Sequence, residues 1–251
     1  MERNIELKLA VLIDADNVSS TNVKGIFEEI AKYGTPTFKR IYGDWTKPQL
    51  SGWKKVLLEN AITPVQQYSY TTGKNSTDSA LIIEAMDILY TGGVDGFCIV
   101  SSDSDFTRLA TRLREAGKKV FGIGQKKTPA PFIASCNKFI YVEILQQQEE
   151  EKSEAPVKET KKAVKLPSHI SLINKELITL VTSSINDIAD EDGWVFLGTL
   201  GSLILKKQPD FDPRNYGFKK LVDIIRRIPR ILIDERATGK NNISHFYVRI
   251  A

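Results

Sequence analysis

Cysteine and histidine are scarce in this chain, at two residues each in 251. Cys98 and Cys136 cannot build a disulfide framework, and with only His169 and His245 beside them no zinc-finger spacing exists. Long apolar runs are missing too. The longest, such as Leu9 to Ile13, fall far short of the ~20 residues that span a bilayer. Met1 to Lys8 hold no apolar stretch of the signal-peptide kind, so a cytoplasmic protein without a membrane partner is expected. Neither sign of charge dominates: 35 Lys and Arg face 31 Asp and Glu, a net +4. That mild excess permits a polyanionic partner without demanding one. What remains is an ordinary globular composition, 41% hydrophobic and 26% charged. At about 150 residues per domain, the length allows one or two domains.

Composition breaks at 146–170. Gln146 to Lys165 holds five Lys, five Glu and no aromatic residue, and it reads as a charged flexible linker. The expected division is therefore a domain over 1–145, the linker, and a second domain over 171–251. The first alternates strand and helix. Strands are expected at Leu9–Ile13, Phe38–Tyr42, Ile62–Val65, Phe97–Val100 and Lys119–Ile123. Helices are expected at Asn22–Tyr33, Trp53–Leu58, Asp78–Tyr90 and from Phe106 to a stop at Gly117. This rhythm predicts an α/β fold, a mostly parallel sheet flanked by helices. The second domain reads as helices at Leu172–Ile188, Leu200–Lys206 and Phe218–Ile228, then strands at Ile231–Asp234 and His245–Ile250 around a Gly239–Asn242 tip. A small winged helix-turn-helix domain is the natural expectation.

Aspartates at strand ends carry the chemistry. Asp14 and Asp16 close the first strand with Asn17, and Ser101-Ser-Asp-Ser-Asp105 closes the fourth. Asp78 opens the long helix. In an open parallel sheet, sites form beyond the carboxyl ends of the strands, so these acids should converge on one edge. Crowded carboxylates repel unless neutralised, and oxygen-only ligands suit Mg²⁺ or Mn²⁺. Such an ion can activate water and offset charge on a phosphate. The competing explanation is that Asp, Asn and Ser after a strand merely cap the next helix. Two clusters plus Asp78, aimed at one edge, favour the metal site. Gly122-x-Gly124 lacks the third glycine and helix start of a dinucleotide fingerprint, so NAD is not expected.

These residues resemble a known family. Ile13-Asp-Ala-Asp-Asn17, Gly73-Lys-Asn-Ser-Thr-Asp78, Val100-Ser-Ser-Asp-Ser-Asp-Phe106, Arg112-Leu-Arg-Glu-Ala-Gly117 and Val120-Phe-Gly-Ile-Gly124 are similar in type and order to an NYN domain of the LabA-like group. Asp192-Gly-Trp194, Pro209-Asp-Phe-Asp-Pro213 and Tyr216-Gly-Phe218-Lys-Lys-Leu221 resemble an OST-HTH, or LOTUS, domain. The first resemblance implies a PIN-like fold and metal-dependent ribonuclease activity. Asp14, Asp78, Asp103 and Asp105 would be the catalytic metal carboxylates. Asn17, Asp16 and Ser102 would orient substrate. The second resemblance implies an RNA-binding or protein-docking module. Candidate RNA contacts are Arg40, Lys74, Tyr68 and Tyr70 near the acids, and Lys219, Lys220, Arg226 and Arg227 in the second domain. Salt bridging is the competing role for Arg40, packing for the tyrosines, and plain solvation for the lysines. Two other functions compete: a non-catalytic RNA-binding adaptor, and a phosphatase of the haloacid-dehalogenase type. Ala10 to Val18 also resembles the opening motif of the latter, in which Asp14 would be a phosphorylated nucleophile.

Overall fold

The computed structural model describes residues 6–68, 76–146, 173–237 and 244–251, and the chain divides into two compact units, 1–158 and 159–251. In the first, strand β1 (Lys8–Asp14) is buried along its whole apolar run. A strand covered on both faces needs such a run rather than alternation. With it lie β2 (Thr35–Gly43), β3 (Thr63–Gln66), β4 (Gly96–Val100), β5 (Lys119–Gly124) and β6 (Lys138–Tyr141). The sheet order is β3-β2-β1-β4-β5-β6, and every neighbouring pair is parallel.

Helices α1 (Val23–Ile30) and α2 (Trp53–Asn60) cover one face, packing Val23, Ile26, Ile30 and Trp53 on Leu9, Val11 and Ile13. Helices α3 (Ser76–Thr91), α4 (Thr107–Glu115) and α5 (Ala130–Ser135) cover the other, packing Leu81, Ala85, Leu109 and Phe132 on Ala10 and Leu12. The chain builds outward from β1 through β2 to β3, then crosses by α3 to β4 on the opposite side of β1. The β1–β4 boundary is therefore the switch point, where the ends of two strands diverge and leave a crevice.

This is the α/β architecture the strand–helix alternation predicts. Gly117 ends α4 as expected: it has φ +78°, and the amides of Gly117 and Lys118 fold back onto the carbonyls of Arg114 and Leu113. The sixth strand and the helix before it are additions. Pro129 and Pro131 break any periodic signal there, and α5 has only six residues.

The second unit comprises α6 (Lys175–Ile188), β7 (Val195–Phe196), α7 (Leu197–Lys207), α8 (Leu221–Ile225), β8 (Ile231–Ala237) and β9 (Ser244–Ile250). Its antiparallel sheet has the order β7-β9-β8. Leu177, Val181, Leu200, Ile204, Ile225 and Val248 form its core. The expected third helix, Phe218–Ile228, is cut to five residues. Lys220 is extended, with φ −135° and ψ 153°, and so bars an earlier start. Arg230, at φ 64°, follows Pro229 and closes the far side. The 146–170 linker beyond Gln146 and the Gly239–Asn242 tip lie outside the described residues.

Candidate functional site

Asp14 ends β1 in register with Tyr42, on the same face as Ala10 and Leu12. Two residues beyond Ile99, Ser101 shares that face. Helix α3 lies over it and carries Asp78 in its first turn. Strand alternation and one helix start thus bring residues from three distant segments together.

Asp14 is almost fully buried, at 1% exposure. Its Oδ1 accepts from the Asp16 amide at 3.0 Å. Its Oδ2 accepts from Asn17 Nδ2 at 2.6 Å and Ser101 Oγ at 2.9 Å. Burial pushes its carboxyl above the ordinary value, and these three donors pull it back. Ser101 Oγ in turn accepts from the Asp103 amide at 3.1 Å, so one hydroxyl links the two acidic segments.

Oxygens of Asp78, Asp103 and Asp105 lie within 4.8 Å of one another. Asp103 is also an N-cap, its Oδ1 accepting from the Asp105 amide at 2.9 Å, so capping and clustering are both true of it. Desolvation and then the fields of Asp14, Asp103, Asp105 and Asp16 push the Asp78 carboxyl up to about 6. Like charges so close together favour any cation that reaches them. Three oxygen donors within that distance suit a hard divalent cation, and no nitrogen or sulfur ligand joins them among the described residues.

The remaining expected residues are distributed as follows. Asp16 is half exposed, with Lys47 Nζ at 3.9 Å. Asn17 serves Asp14 directly. Ser102 turns away, accepting from the Gln125 amide at 2.8 Å and so tying the end of β4 to that of β5. Arg40 pairs with Glu84 of α3 and lies over the Phe38 ring at 5.4 Å. Tyr68 is 54% exposed just beyond β3, while Tyr70 and Lys74 lie outside the described residues. In the second unit, Lys219 and Lys220 are exposed before α8. Arg226 pairs with Asp223 at 3.5 Å, and Arg227 lies 5.9 Å over the Phe218 ring.

The sequence reading passed over four features. Ser101 could have been found by strand alternation, which assigns it, and not Ser102, to the Asp14 face. Asp44 ends β2 on the same sheet edge, buried at 6% exposure, and accepts from Thr46 Oγ1 at 2.6 Å and Gln66 Nε2 at 3.0 Å. Lys47 had no sequence signal at all. The fourth is on β9, where alternation sets His245, Tyr247 and Arg249 on the face away from the core. Arg236 stacks there at 4.1 Å over Tyr247 and 5.3 Å over Trp194, and Arg249 at 5.0 Å over Trp194.

Comparison with known proteins settles the family. The NYN domain family model matches residues 8–145, more than half of the chain. The chain belongs to the NYN domain family. The OST-HTH/LOTUS domain model matches residues 168–243 behind the NYN domain. NYN domains are PIN-like and generally nucleases that use divalent metal ions, and an acidic cluster is present in this one. No curated protein matches the chain. Among solved structures, it is similar to a protein of unknown function from Vibrio parahaemolyticus: 21% identity, 55% of this chain, 94% of that one, TM-score 0.46. It is also similar to an uncharacterized protein from Nitrosomonas europaea, with 27% identity over 39% of this chain and 91% of that one, TM-score 0.30. A third similarity is to part of a protein from Chromobacterium violaceum, with 30% identity over 31% of this chain and 82% of that one, TM-score 0.26. Among the described residues, no helix is long and apolar enough to cross a membrane.

Proposed function

We propose that the NYN domain is a metal-dependent ribonuclease, hydrolysing RNA phosphodiesters at the Asp78–Asp103–Asp105 cluster, and that the OST-HTH/LOTUS domain, read as a winged helix, adds RNA affinity. The observation that carries this reading is the convergence of three carboxylates within 4.8 Å on the switch-point edge, beside a fourth, Asp14. Asp78, Asp103 and Asp105 would hold Mg²⁺ or Mn²⁺. Asp14 Oδ1 keeps a lone pair beyond its single amide donor and can add to that set. A divalent ion held there would supply water activation and charge stabilisation on the phosphate. The protein's own contribution is orientation: Asn17 and Ser101 fix the Asp14 carboxylate, and Ser101 fixes Asp103 relative to it. Cytoplasmic location remains part of this proposal.

Against a phosphoaspartate mechanism stands the environment of Asp14. A nucleophile has to be reached by substrate, whereas this carboxylate is 1% exposed and has donors on both oxygens. The test is incubation of labelled single-stranded and structured RNA with the full chain in Mn²⁺, in Mg²⁺ and in EDTA. Cleavage that appears with metal, disappears with EDTA and is lost in Asp103→Asn supports the nuclease. RNA binding without cleavage under every condition would make the protein an adaptor.

A further inference from the structure

A cleft of about 750 Å³ opens between the segment after β2, helix α2 and strand β3, on the sheet face that α2 covers. Trp45, Lys47, Pro48, Lys54, Leu58 and Pro64 are among its walls. No carboxylate lines it. Trp45 is held rigidly: its Nε1 donates to the Val65 carbonyl at 3.0 Å, and its amide donates to Gln66 Oε1 at 2.9 Å. Its ring packs on the core from one side and borders the cleft. Leu58 is 82% exposed on the rim, an apolar side chain that the fold itself does not use.

The cleft also connects to the acids. Lys47 lines it, and its ammonium lies 3.9 Å from the Asp16 carboxylate, one of the four that raise Asp78. A ligand bound across both would place negative charge at the metal carboxylates and at Lys47 and Lys54, with a flat apolar group between Trp45, Pro64 and Leu58. A nucleotide has that chemistry: a π-face for the tryptophan and phosphates for the ammonium groups. A volume near 750 Å³ is within the ordinary range for a small-ligand site.

We infer that this cleft is a nucleobase subsite of the nuclease, holding one base of the bound strand beyond the Asp16–Lys47 edge and setting base preference through Trp45, Lys47 and Lys54. The inference rests on the nuclease reading of the cluster, but the cleft can be tested without turnover. Two phosphorothioate tetranucleotides that resist hydrolysis, of adenosine and of uridine, are titrated into ¹⁵N-labelled full chain. The three tryptophan indole signals are followed, Trp45 being assigned with Trp45→Phe. The expected result is a saturable shift of Trp45 with either or both oligomers, while buried Trp53 stays put. Lys54→Glu and Leu58→Glu, both at exposed positions, should weaken that titration at least about 5-fold. They should raise KM for an RNA octamer by a similar factor with little change in kcat.

The inference is overturned if Trp45 does not move with either oligomer, or if both variants bind and cleave like the native chain, and the nuclease reading then survives alone. It is overturned as well if Leu58→Glu dissociates a dimer seen by sedimentation and leaves oligomer binding unchanged, since the cleft is then a protein interface. If the native chain never cleaves RNA but Trp45 shifts and both variants suppress the shift, the nuclease reading fails and the nucleotide subsite stands.

Discussion

Asn17 donates to Asp14 Oδ2 across 2.6 Å, and Ser101, 84 positions further along, donates to the same oxygen at 2.9 Å. Two neutral donors thus offset part of the upward push that burial gives this carboxyl. Ser101 adds a second function by accepting from the Asp103 amide. The geometry of the acidic edge therefore depends on two side chains that carry no charge.

Removing either donor should loosen the acids without emptying the site. Asn17→Ala and Ser101→Ala are expected to lower metal-dependent cleavage by about 10- to 100-fold, the range seen when outer-shell partners are lost. The loss should appear as a higher Mn²⁺ concentration for half-maximal rate. A metal titration at saturating RNA checks it. Unchanged half-maximal concentrations in both variants would leave these hydrogen bonds merely structural.

Asp78 gives the metal-free protein a defined pH dependence. Its carboxyl sits at about 6 in the fold against an ordinary 3.8. Between those values the native state holds a proton that the unfolded chain has released. Stability from this group is therefore complete below about 3.8 and lost as pH rises through about 6. Asp78→Asn should raise the melting temperature in EDTA at pH 7.5, by about 2–6 °C, and by less at pH 5. Mn²⁺ should stabilise the native protein at pH 7.5 and have little effect on the variant. A matching gain at both pH values would show that crowding of charge is not the cause.

How much was legible follows from which signals are local. Leu9–Ile13 announces a doubly covered strand because five apolar residues in a row fit little else at that length. The strand-end aspartates are likewise readable, since parallel topology sends every strand end to one edge. Pairings between segments are not readable. Arg40 looked like a phosphate contact until α3 placed Glu84 against it. Lys219, Lys220, Arg226 and Arg227 looked like one helix edge until the extended backbone at Lys220 shortened α8 to five residues. Tertiary packing decides such matters, and periodicity carries no record of it.

Gly122-x-Gly124 illustrates a motif whose reason is packing. A Cβ on Gly122 would meet Phe139 Cδ2 at 2.5 Å and Cys136 Sγ at 2.8 Å. One on Gly124 would meet the Ser101 carbonyl at 2.5 Å and Thr128 Oγ1 at 2.8 Å. Gly122→Ala should cost about 1–3 kcal/mol through overpacking alone. Gly124→Ala should cost as much and also displace Ser101, the hydroxyl that links Asp14 to Asp103. Chemical denaturation and cleavage assays on both variants separate the cases. Equal activity per folded molecule in the two would show that strain at Gly124 is not passed to the acids.

The last expectation concerns the division of labour between the domains. Ile144 and Leu145 are buried in the NYN core, and Gln146 Nε2 donates to Asn22 Oδ1 at 3.0 Å, so a shortened chain has to retain them. A chain ending at Lys158 keeps the whole first unit and every acid of the cluster. It should therefore cleave RNA at saturating substrate as fast as the full protein. It should bind more weakly, because two linked sites on one strand raise local concentration only when both engage. The difference should shrink with added salt, since lysine and arginine contacts to phosphate are displaced by counterions. In the full chain, Lys219→Ala with Lys220→Ala should reproduce part of that salt-sensitive loss. Tyr247→Ala should reproduce a part that salt affects less, because Arg236 stacked at 4.1 Å marks that face as one for flat groups rather than bare charge. Titrations of the four proteins at two salt concentrations decide the matter. If the shortened chain binds RNA as tightly as the full one at low salt, the OST-HTH/LOTUS domain contributes no RNA affinity, and its aromatic and basic surface serves a protein partner instead.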